Sequence, residues 1–283
     1  MSRNAIILAA GTSSRFIPLS YERPKGLLEV HGEILIERQI RQLREAGVSD
    51  IYVVVGYHAE MFAYLESKYG VHIVYNEDYA KYNNTSSMIR VIDVLSNSFI
   101  CSSDNYFPNN VFETETSYSY YAAKYADGET NEYCLITDSD DNILKVTIGG
   151  KNAWYMIGHV FFNVEYSSTF RALLKKEYEK EETRHRYWED VYIENISTLP
   201  MKIRRYQDDD IQEFDSLDEL RTFDRSYISN TRSNVVKEIA NTLDCNEEQL
   251  HAFKPIKDHH EHHFSFMKGD ALYEYIEKNI KKI

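Results

Sequence analysis

The chain predicts an α/β fold: a doubly wound, mostly parallel sheet, an antiparallel subregion and a small α-rich appendage at the C-terminal end. Three observations carry this expectation. Up to residue 102, short apolar or β-branched runs alternate with helical spacings. After about residue 115 the texture becomes closely spaced strands separated by polar turns. From about residue 229 a further helical pattern stands apart, so residues 1–228 and 229–283 are expected as two domains.

Residues 5–10 form an apolar run of strand length that breaks at Gly11, a buried first strand. Ile34, Leu35, Ile40, Leu43 and Ala46 recur at helical spacing, with Gly47 where a C-terminal stop belongs. The β-branched run 51–55 is a strand closed by Gly56; 58–69 reads as helix, 71–75 as strand, 86–95 as helix and 99–102 as strand. This order is Rossmann-like. Ligands in such sheets bind beyond the carboxyl ends of the strands, where the Gly11 loop and Asp104 both lie. Segments 118–124, 133–137, 143–146 and 156–162 then read as antiparallel strands, with Asp140-Asp141-Asn142 as a turn. Helices follow at 167–180 and 188–196, then a strand at 201–206 and a helix capped by Asp215 or Ser216. In the appendage, 230–243 reads as a helix with Val235, Val236, Ile239 and Leu243 on one face, followed by 247–251 and a last helix at 270–281.

A length of 283 residues, with 43% hydrophobic and 27% charged, suits a soluble globular protein. No apolar stretch approaches the roughly 20 residues of a membrane helix, and no leader pattern opens the chain. Cytoplasmic residence without membrane insertion is expected. The three cysteines, Cys101, Cys134 and Cys245, are odd in number and widely spaced, and read as reduced thiols. A net charge of −13 argues against nucleic acid as a partner. The composition leaves oligomeric state open, a homo-oligomer included.

Residues 6–25 are the most informative stretch. Strand, small polar loop and two cations, Arg15 and Lys25, make a cradle for a polyphosphate: N–H groups close on its oxygens and the cations neutralise it. Leu8, Ala9, Ala10, Gly11, Thr12, Ser13, Ser14, Arg15 and Lys25 are the candidate nucleotide contacts. The dinucleotide pattern fails at Ser13, and no Walker loop is present. What remains, Leu-Ala-Ala-Gly-x-x-x-Arg with Pro18 and Pro24-Lys25, resembles nucleotidyltransferases that load a sugar or alcohol phosphate onto a nucleoside triphosphate. That superfamily usually carries a second glycine at position 13; serine is small but tolerates positive φ less well. Ser103 and Asp104 end the next central strand, where a carboxylate can hold Mg²⁺ against phosphate oxygens. Tyr187-Trp188-Glu189-Asp190 offers a second carboxylate.

Ser103-Asp104-Asn105-Tyr106, Thr130-Asn131-Glu132-Tyr133, Tyr187-Trp188-Glu189 and Ile211-Gln212-Glu213-Phe214-Asp215 together resemble the bacterial CTP:phosphocholine cytidylyltransferases over roughly residues 4–225. The resemblance implies CTP and phosphocholine as substrates and Mg²⁺ on Asp104 and Glu189. The family carries aspartate at position 189, and Asp190 is the fallback ligand. It implies Lys25 and Arg15 as catalytic cations, and Asn84, Ser86 and Ser87 in a base-reading segment. Tyr133, Tyr187 and Glu213 would surround the quaternary ammonium in the antiparallel, acceptor-binding subregion. Such an ammonium donates no conventional N–H bond and is held by ring faces and negative charge. Gly56-Tyr57 is a weaker nucleotide contact.

Two other readings compete. A 2-aminoethylphosphonate or phosphoethanolamine acceptor would prefer carboxylates over an aromatic cage, and a catalytically silent nucleotide-binding scaffold would keep the fold without turnover. The run His259-His260-Glu261-His262-His263 lacks convergent metal spacing and reads as a loop. Phe253-Lys254-Pro255-Ile256-Lys257 and Phe264-Ser265-Phe266 resemble the start of a choline-kinase-type lobe that lacks a catalytic loop, hence a non-catalytic remnant or contact surface.

Overall fold

A computed structural model describes residues 2–112, 115–257 and 262–283. Its strands are β1 (Asn4–Ala9), β2 (Glu29–Val30), β3 (Glu33–Ile34), β4 (Asp50–Val55), β5 (His72–Tyr75), β6 (Ser98–Ser102) and β7 (Tyr120–Thr137). They continue with β8 (Ile143–Phe162), β9 (Lys202–Arg205), β10 (Leu250–Pro255), β11 (His263–Lys268), β12 (Ala271–Ile276) and β13 (Asn279–Lys282). The chain divides into two compact units, Met1–Gly11 with Ile36–Gln212 and Thr12–Leu35 with Glu213–Ile283.

In the first unit a seven-stranded sheet runs β5-β4-β1-β6-β8-β7-β9. The β8 pairings with β6 and β7 are antiparallel and the others parallel. The parallel half follows from its residues: Ile6, Ile7, Val53 and Val54 are fully buried, as continuous apolar strands covered on both faces should be. One face is packed by Met88, Phe162, Phe170 and Trp188 around Ile6, Val54 and Ile100. Helix Leu35–Glu45 buries Ile36, Ile40 and Leu43 completely. Each such side chain contributes roughly 1.5–3 kcal/mol by leaving water.

The four antiparallel strands expected after residue 115 are realised as two long, bent ones. The β7–β8 ladder runs from Tyr120 opposite Phe161 to Thr137 opposite Ile143, with register shifts at 126/129 and 130/133. Cys134 pairs with both Thr147 and Tyr155, so the ribbon folds back on itself. Its tip reaches β9, where Ile143 N–H donates to Met201 O and Ile203 N–H to Asp141 O, both at 2.9 Å. The turn forms as expected: the Asn142 side-chain amide donates to Asp138 Oδ2 at 2.9 Å, and the backbone N–H groups of Asn142 and Asp140 donate to Oδ1, together holding that carboxyl below the usual range. His159 on β8 is fully buried; burial pushes its pKa down to about 3, so the imidazole is neutral and meets Tyr120 Oη at 3.0 Å. Cys101 and Cys134 are buried thiols and Cys245 is partly buried, with no disulfide among the described residues.

The second unit contains the β2–β3 hairpin, helices Leu19–Glu22, Leu217–Phe223, Ser226–Ser229 and Asn234–Thr242, and an antiparallel sheet β10-β11-β12-β13. Ser216, one of the two expected caps, accepts from Glu219 N–H at 3.2 Å.

The end of the chain departs from expectation. Segment 270–281 is not a helix but β12, a turn and the start of β13, so strands dominate what was expected as an α-rich appendage. Its aromatic residues find partners on β11: Phe264 lies opposite Tyr275 and Phe266 opposite Tyr273, with ring centroids 4.7 and 5.5 Å apart. Cross-strand aromatic pairs bury more surface than an isolated helix of this length could, and tertiary pairing overrides local propensity. Glu277 and Lys278 turn the chain with φ of 44° and 75°. His262 stacks on Tyr21 at 4.4 Å and His263 meets Glu274 at 2.9 Å, while residues 259–261 of the histidine run lie outside the described residues. No helix among the described residues is long and apolar enough to cross a membrane.

Candidate active site

In the first unit, neighbouring parallel strands place their carboxyl ends together. Leu8 lies opposite Val54 on β4 and Ser102 on β6. Ala10-Gly11, Gly56 and Ser103-Asp104 therefore follow from one edge of the sheet, as expected for a doubly wound fold. Ser103 N–H donates to Leu8 O at 3.1 Å and Tyr57 N–H to Ala10 O at 3.1 Å, stitching the three segments. Gly56 permits this approach: a Cβ there would lie 2.9 Å from Ala10 O and 2.5 Å from Tyr79 Cβ.

Asp104 is partly buried, and the turn that carries it is held from helix Leu35–Glu45. Gln39 Nε2 donates to Ser102 O at 2.9 Å and Asn105 O at 2.8 Å. Arg38 donates to Phe107 O and Pro108 O. Sequence reasoning missed Gln39. Its signal was a polar residue at a helical position flanked by the buried Ile36 and Ile40. Tyr106 and Gln212 exchange two 2.8 Å backbone bonds, bringing the Asp104 motif and the start of the 211–215 motif side by side.

The second acidic motif opens helix Trp188–Glu194. Asn84 clamps that opening: its Oδ1 accepts from Trp188 N–H at 2.8 Å and its Nδ2 donates to Glu189 Oε2 at 3.2 Å. Tyr121 Oη donates to Glu189 Oε1 at 3.2 Å while its ring stacks on Trp188. These donors are neutral, and burial pushes the Glu189 carboxyl up to about 7. Asp190 is committed differently. It accepts from Tyr133 Oη at 3.0 Å and from the Tyr187 N–H at 3.0 Å, closing the helix N-terminus. Tyr133 and Tyr187 thus meet at one carboxylate; burial and that carboxylate push the Tyr133 phenol up. Tyr187 remains 46% exposed.

Segment 83–87 serves this arrangement from inside. Ser86 and Ser87 are buried and accept from Asn76 Nδ2 at 2.8 and 3.1 Å. Thr85 Oγ1 faces the carbonyls of Thr183, Arg184 and Arg186 within 3.1 Å. In this conformation the hydroxyls of 85–87 are spent within the protein.

The second unit begins with Thr12, Ser13 and Ser14, partly or fully exposed, and a turn closed by Phe16 N–H donating to Ser13 O at 2.8 Å. Ser13 has a φ of 49°, so the left-handed turn that glycine would favour persists on serine. Ser13→Gly is therefore expected to leave stability unchanged or slightly raised, whereas the β-branched Ser13→Val should cost about 1–2 kcal/mol, read by thermal denaturation. Arg15 Nη1 lies 2.7 Å from Asp215 Oδ2 and Lys25 Nζ 3.6 Å from Asp215 Oδ1. Lys25 is buried at 5% exposure, with Phe16 beside it, while Arg15 is 71% exposed. Glu213 is exposed next to the buried Phe214, whose ring packs on Phe223 at 5.0 Å.

Among the described residues no three acidic, histidine or cysteine side chains form a metal cage. Mg²⁺ does not require one, because it takes one or two carboxylates and completes its shell with water and phosphate oxygens.

Comparison with known proteins places the geometry in context. Residues 5–112 match the model of the MobA-like NTP transferase domain. The chain is 35% identical over 217 residues to a choline-phosphate cytidylyltransferase of Streptococcus pneumoniae, covering 77% of this chain and 95% of the relative. It is 34% identical over 234 residues to a 2-aminoethylphosphonate cytidylyltransferase of Lancefieldella rimae, covering 81% and 95%. The solved structure of the CTP:phosphocholine cytidylyltransferase from Streptococcus pneumoniae superposes with a TM-score of 0.77 at 34% identity, over 80% of this chain and 99% of that one.

Proposed function

From the premise that the chain belongs to the bacterial cytidylyltransferases of the choline-phosphate and 2-aminoethylphosphonate type, we propose that its acceptor is phosphocholine and its product CDP-choline. The enzyme transfers CMP from CTP to a phosphorylated head group. One observation favours phosphocholine: the Tyr133 phenol bonds the Asp190 carboxylate and is close enough to the Tyr187 phenol to feel its charge, while the Tyr187 backbone N–H caps on the same carboxylate and much of Tyr187 is exposed. Ring faces and a nearby negative charge suit a quaternary ammonium, each cation–π contact contributing roughly 0.5–2 kcal/mol. Glu213, exposed in the second unit, is assigned to the same ligand by its place in the motif.

A phosphate oxygen of phosphocholine attacks the α-phosphorus of CTP in line. The bond to the bridging oxygen of the β-phosphate breaks, and pyrophosphate leaves with its electron pair. The nucleophile is already an anion at neutral pH, so no general base is needed. Lys25 and Arg15 neutralise charge on the triphosphate, and Ala10, Gly11, Thr12, Ser13 and Ser14 supply loop N–H groups. Asn84, Ser86, Ser87 and Ser103 shape the nucleotide side, Asn84 by fixing Glu189.

Asp104 and Glu189 would hold Mg²⁺, which lends Lewis acidity and charge neutralisation to the phosphates. The donor set fits. Glu189 is a desolvated carboxylate held by neutral donors, and Asn105, beside Asp104, is fully buried with both amide atoms unbonded among the described residues. Asp190 is occupied as a cap, which favours Glu189 over the fallback.

Pyrophosphate release with Mg²⁺ tests the reading, each of four nucleoside triphosphates being offered phosphocholine, phosphoethanolamine, 2-aminoethylphosphonate and glucose 1-phosphate. Release is expected with CTP and phosphocholine. Preference for 2-aminoethylphosphonate would overturn the acceptor assignment, and no turnover with any pair would leave a nucleotide-binding scaffold.

A further inference from the structure

We propose that Glu22 is a positioning residue for the reaction, fastening the segment that carries Lys25 to helix Asn234–Thr242 of the appendage so that this cation is held in place for the triphosphate. The inference deepens, and rests on, the reading of Lys25 as a partner of that triphosphate.

The segment is too short to hold its own shape. Helix Leu19–Glu22 has four residues, against the roughly 12 at which an isolated helix becomes even marginal in water. The chain then runs extended through Arg23 and Pro24, with ψ of 136° and 142°, and reaches Lys25. Three residues span at most about 11 Å, so whatever fixes Glu22 also confines Lys25.

Glu22 is fixed by the first turn of helix Asn234–Thr242. Its Oε2 accepts from Asn234 N–H at 2.8 Å, and its Oε1 accepts from Val235 N–H at 3.1 Å and from the Ser233 hydroxyl. Those N–H groups have no acceptor within their own helix. A carboxylate at this end of the helix dipole makes charge-assisted bonds, about twice as strong as neutral ones. Ser233, 1% exposed, already caps the helix by accepting from Val236 N–H at 3.1 Å. What Glu22 adds is a connection between stretches 211 residues apart.

The chain beyond Lys25 is held from the same region. Tyr227 Oη donates to Glu29 O at 2.7 Å, and Arg232 Nη2 lies 3.4 Å from Glu29 Oε1. The Arg232 guanidinium covers the Tyr227 ring at 4.1 Å, on a backbone with a φ of 59°. A non-glycine residue keeps that conformation only where its surroundings enforce it. Tyr21, next to Glu22, stacks on His262. Lys25 therefore lies between two anchors, at 22 and 29, and residues 227–235 supply both. Such fixing matters because a displacement of about 1 Å can cost about 100-fold in rate.

Amide hydrogen exchange and steady-state kinetics on the full chain, well below its melting transition, test the proposal with Glu22→Gln, which keeps the size of the side chain but turns an amide toward the N–H groups. Exchange at Leu27 and Leu28, whose N–H groups bond Pro24 O and Lys25 O, is expected to quicken about tenfold together with exchange at Asn234 and Val235. The value of kcat/KM for CTP should fall about tenfold, with the KM for phosphocholine unchanged. Ser233→Ala removes the helix's own cap and leaves two backbone N–H groups on Glu22. It should lower Tm by a few degrees, roughly, with kcat/KM for CTP within about twofold of wild type. Faster exchange confined to 234 and 235, or unchanged kinetics in Glu22→Gln, overturns the positioning role and leaves Glu22 a helix cap. An equal kinetic loss in Ser233→Ala also overturns it, because activity would then follow helix stability. Should Glu22→Gln not fold, Glu22→Asp, which keeps the charge on a shorter arm, is read by the same outcomes. Lys25→Met separates the two readings. If it leaves the CTP kinetics intact, the assignment of Lys25 fails; if it lowers them while Glu22→Gln does not, only the positioning role fails.

Discussion

Glu189→Gln is expected to lower turnover by about 100-fold or more while making the protein free of divalent cation more stable above neutral pH. The two effects have one cause. The Glu189 carboxyl is pushed up to about 7 by burial, against an ordinary value of 4.5. An acid whose pKa is raised on folding costs stability wherever it is ionised in the unfolded state, and the cost grows until the folded state is ionised too. The cost is complete above pH 7 and vanishes below about 4.5, where the group is protonated folded and unfolded alike. A neutral amide avoids it, keeping an acceptor for Tyr121 but losing one for Asn84. The net gain at pH 8 should be about 1–2 kcal/mol, or roughly 2–6 °C in Tm, falling to nothing or below at pH 5. Melting curves at the two pH values check the sign. A loss of stability at pH 8 would show that the Asn84 and Tyr121 contacts outweigh desolvation and that Glu189 is a structural anchor.

Lys25→Met should reduce kcat/KM by about 100- to 1,000-fold, with the fold retained. Methionine fills much of the lysine volume beside Phe16, so packing survives, while the cation assigned to the phosphates is lost. Asp215 keeps Arg15 as a partner and is not left an isolated charge. Steady-state kinetics separate the outcomes: a fall in kcat reports charge neutralisation in the transition state, and a rise in KM alone would report uniform binding. Activity within about threefold of wild type would remove Lys25 from the catalytic set.

The parallel half of the sheet was legible because its strands are short, continuous and apolar, bounded by Gly11, Gly56 and the polar turn at 103–105. The same property made the loops after them readable as the ligand edge. The bent β7–β8 ribbon was legible only as four fragments, since its continuity depends on register shifts that leave no mark on hydrophobic alternation. The stretch 270–281 misled, because a short segment rich in Tyr, Glu, Lys and Ile suits helix or strand equally until a partner such as Phe264 is set against it.

The candidate site divides in the same manner. Residue order and type determined that a small polar loop with Arg15 and Lys25, proposed above as the phosphate cradle, follows a buried strand, and that carboxylates stand at 104, 189 and 190. Those are local properties of one stretch of chain. Which carboxylate stays available, and what the cations hold, are decided largely by partners distant in the chain, 57 residues away for Tyr133 on Asp190 and 105 for Asn84 on Glu189. Asn84 turns to Glu189, whereas Asp190 is taken by Tyr133 and its own helix, and Asp215 reaches Arg15 and Lys25. The environment of a charge sets its protonation and its availability, and that environment exists only once distant segments have been brought against it.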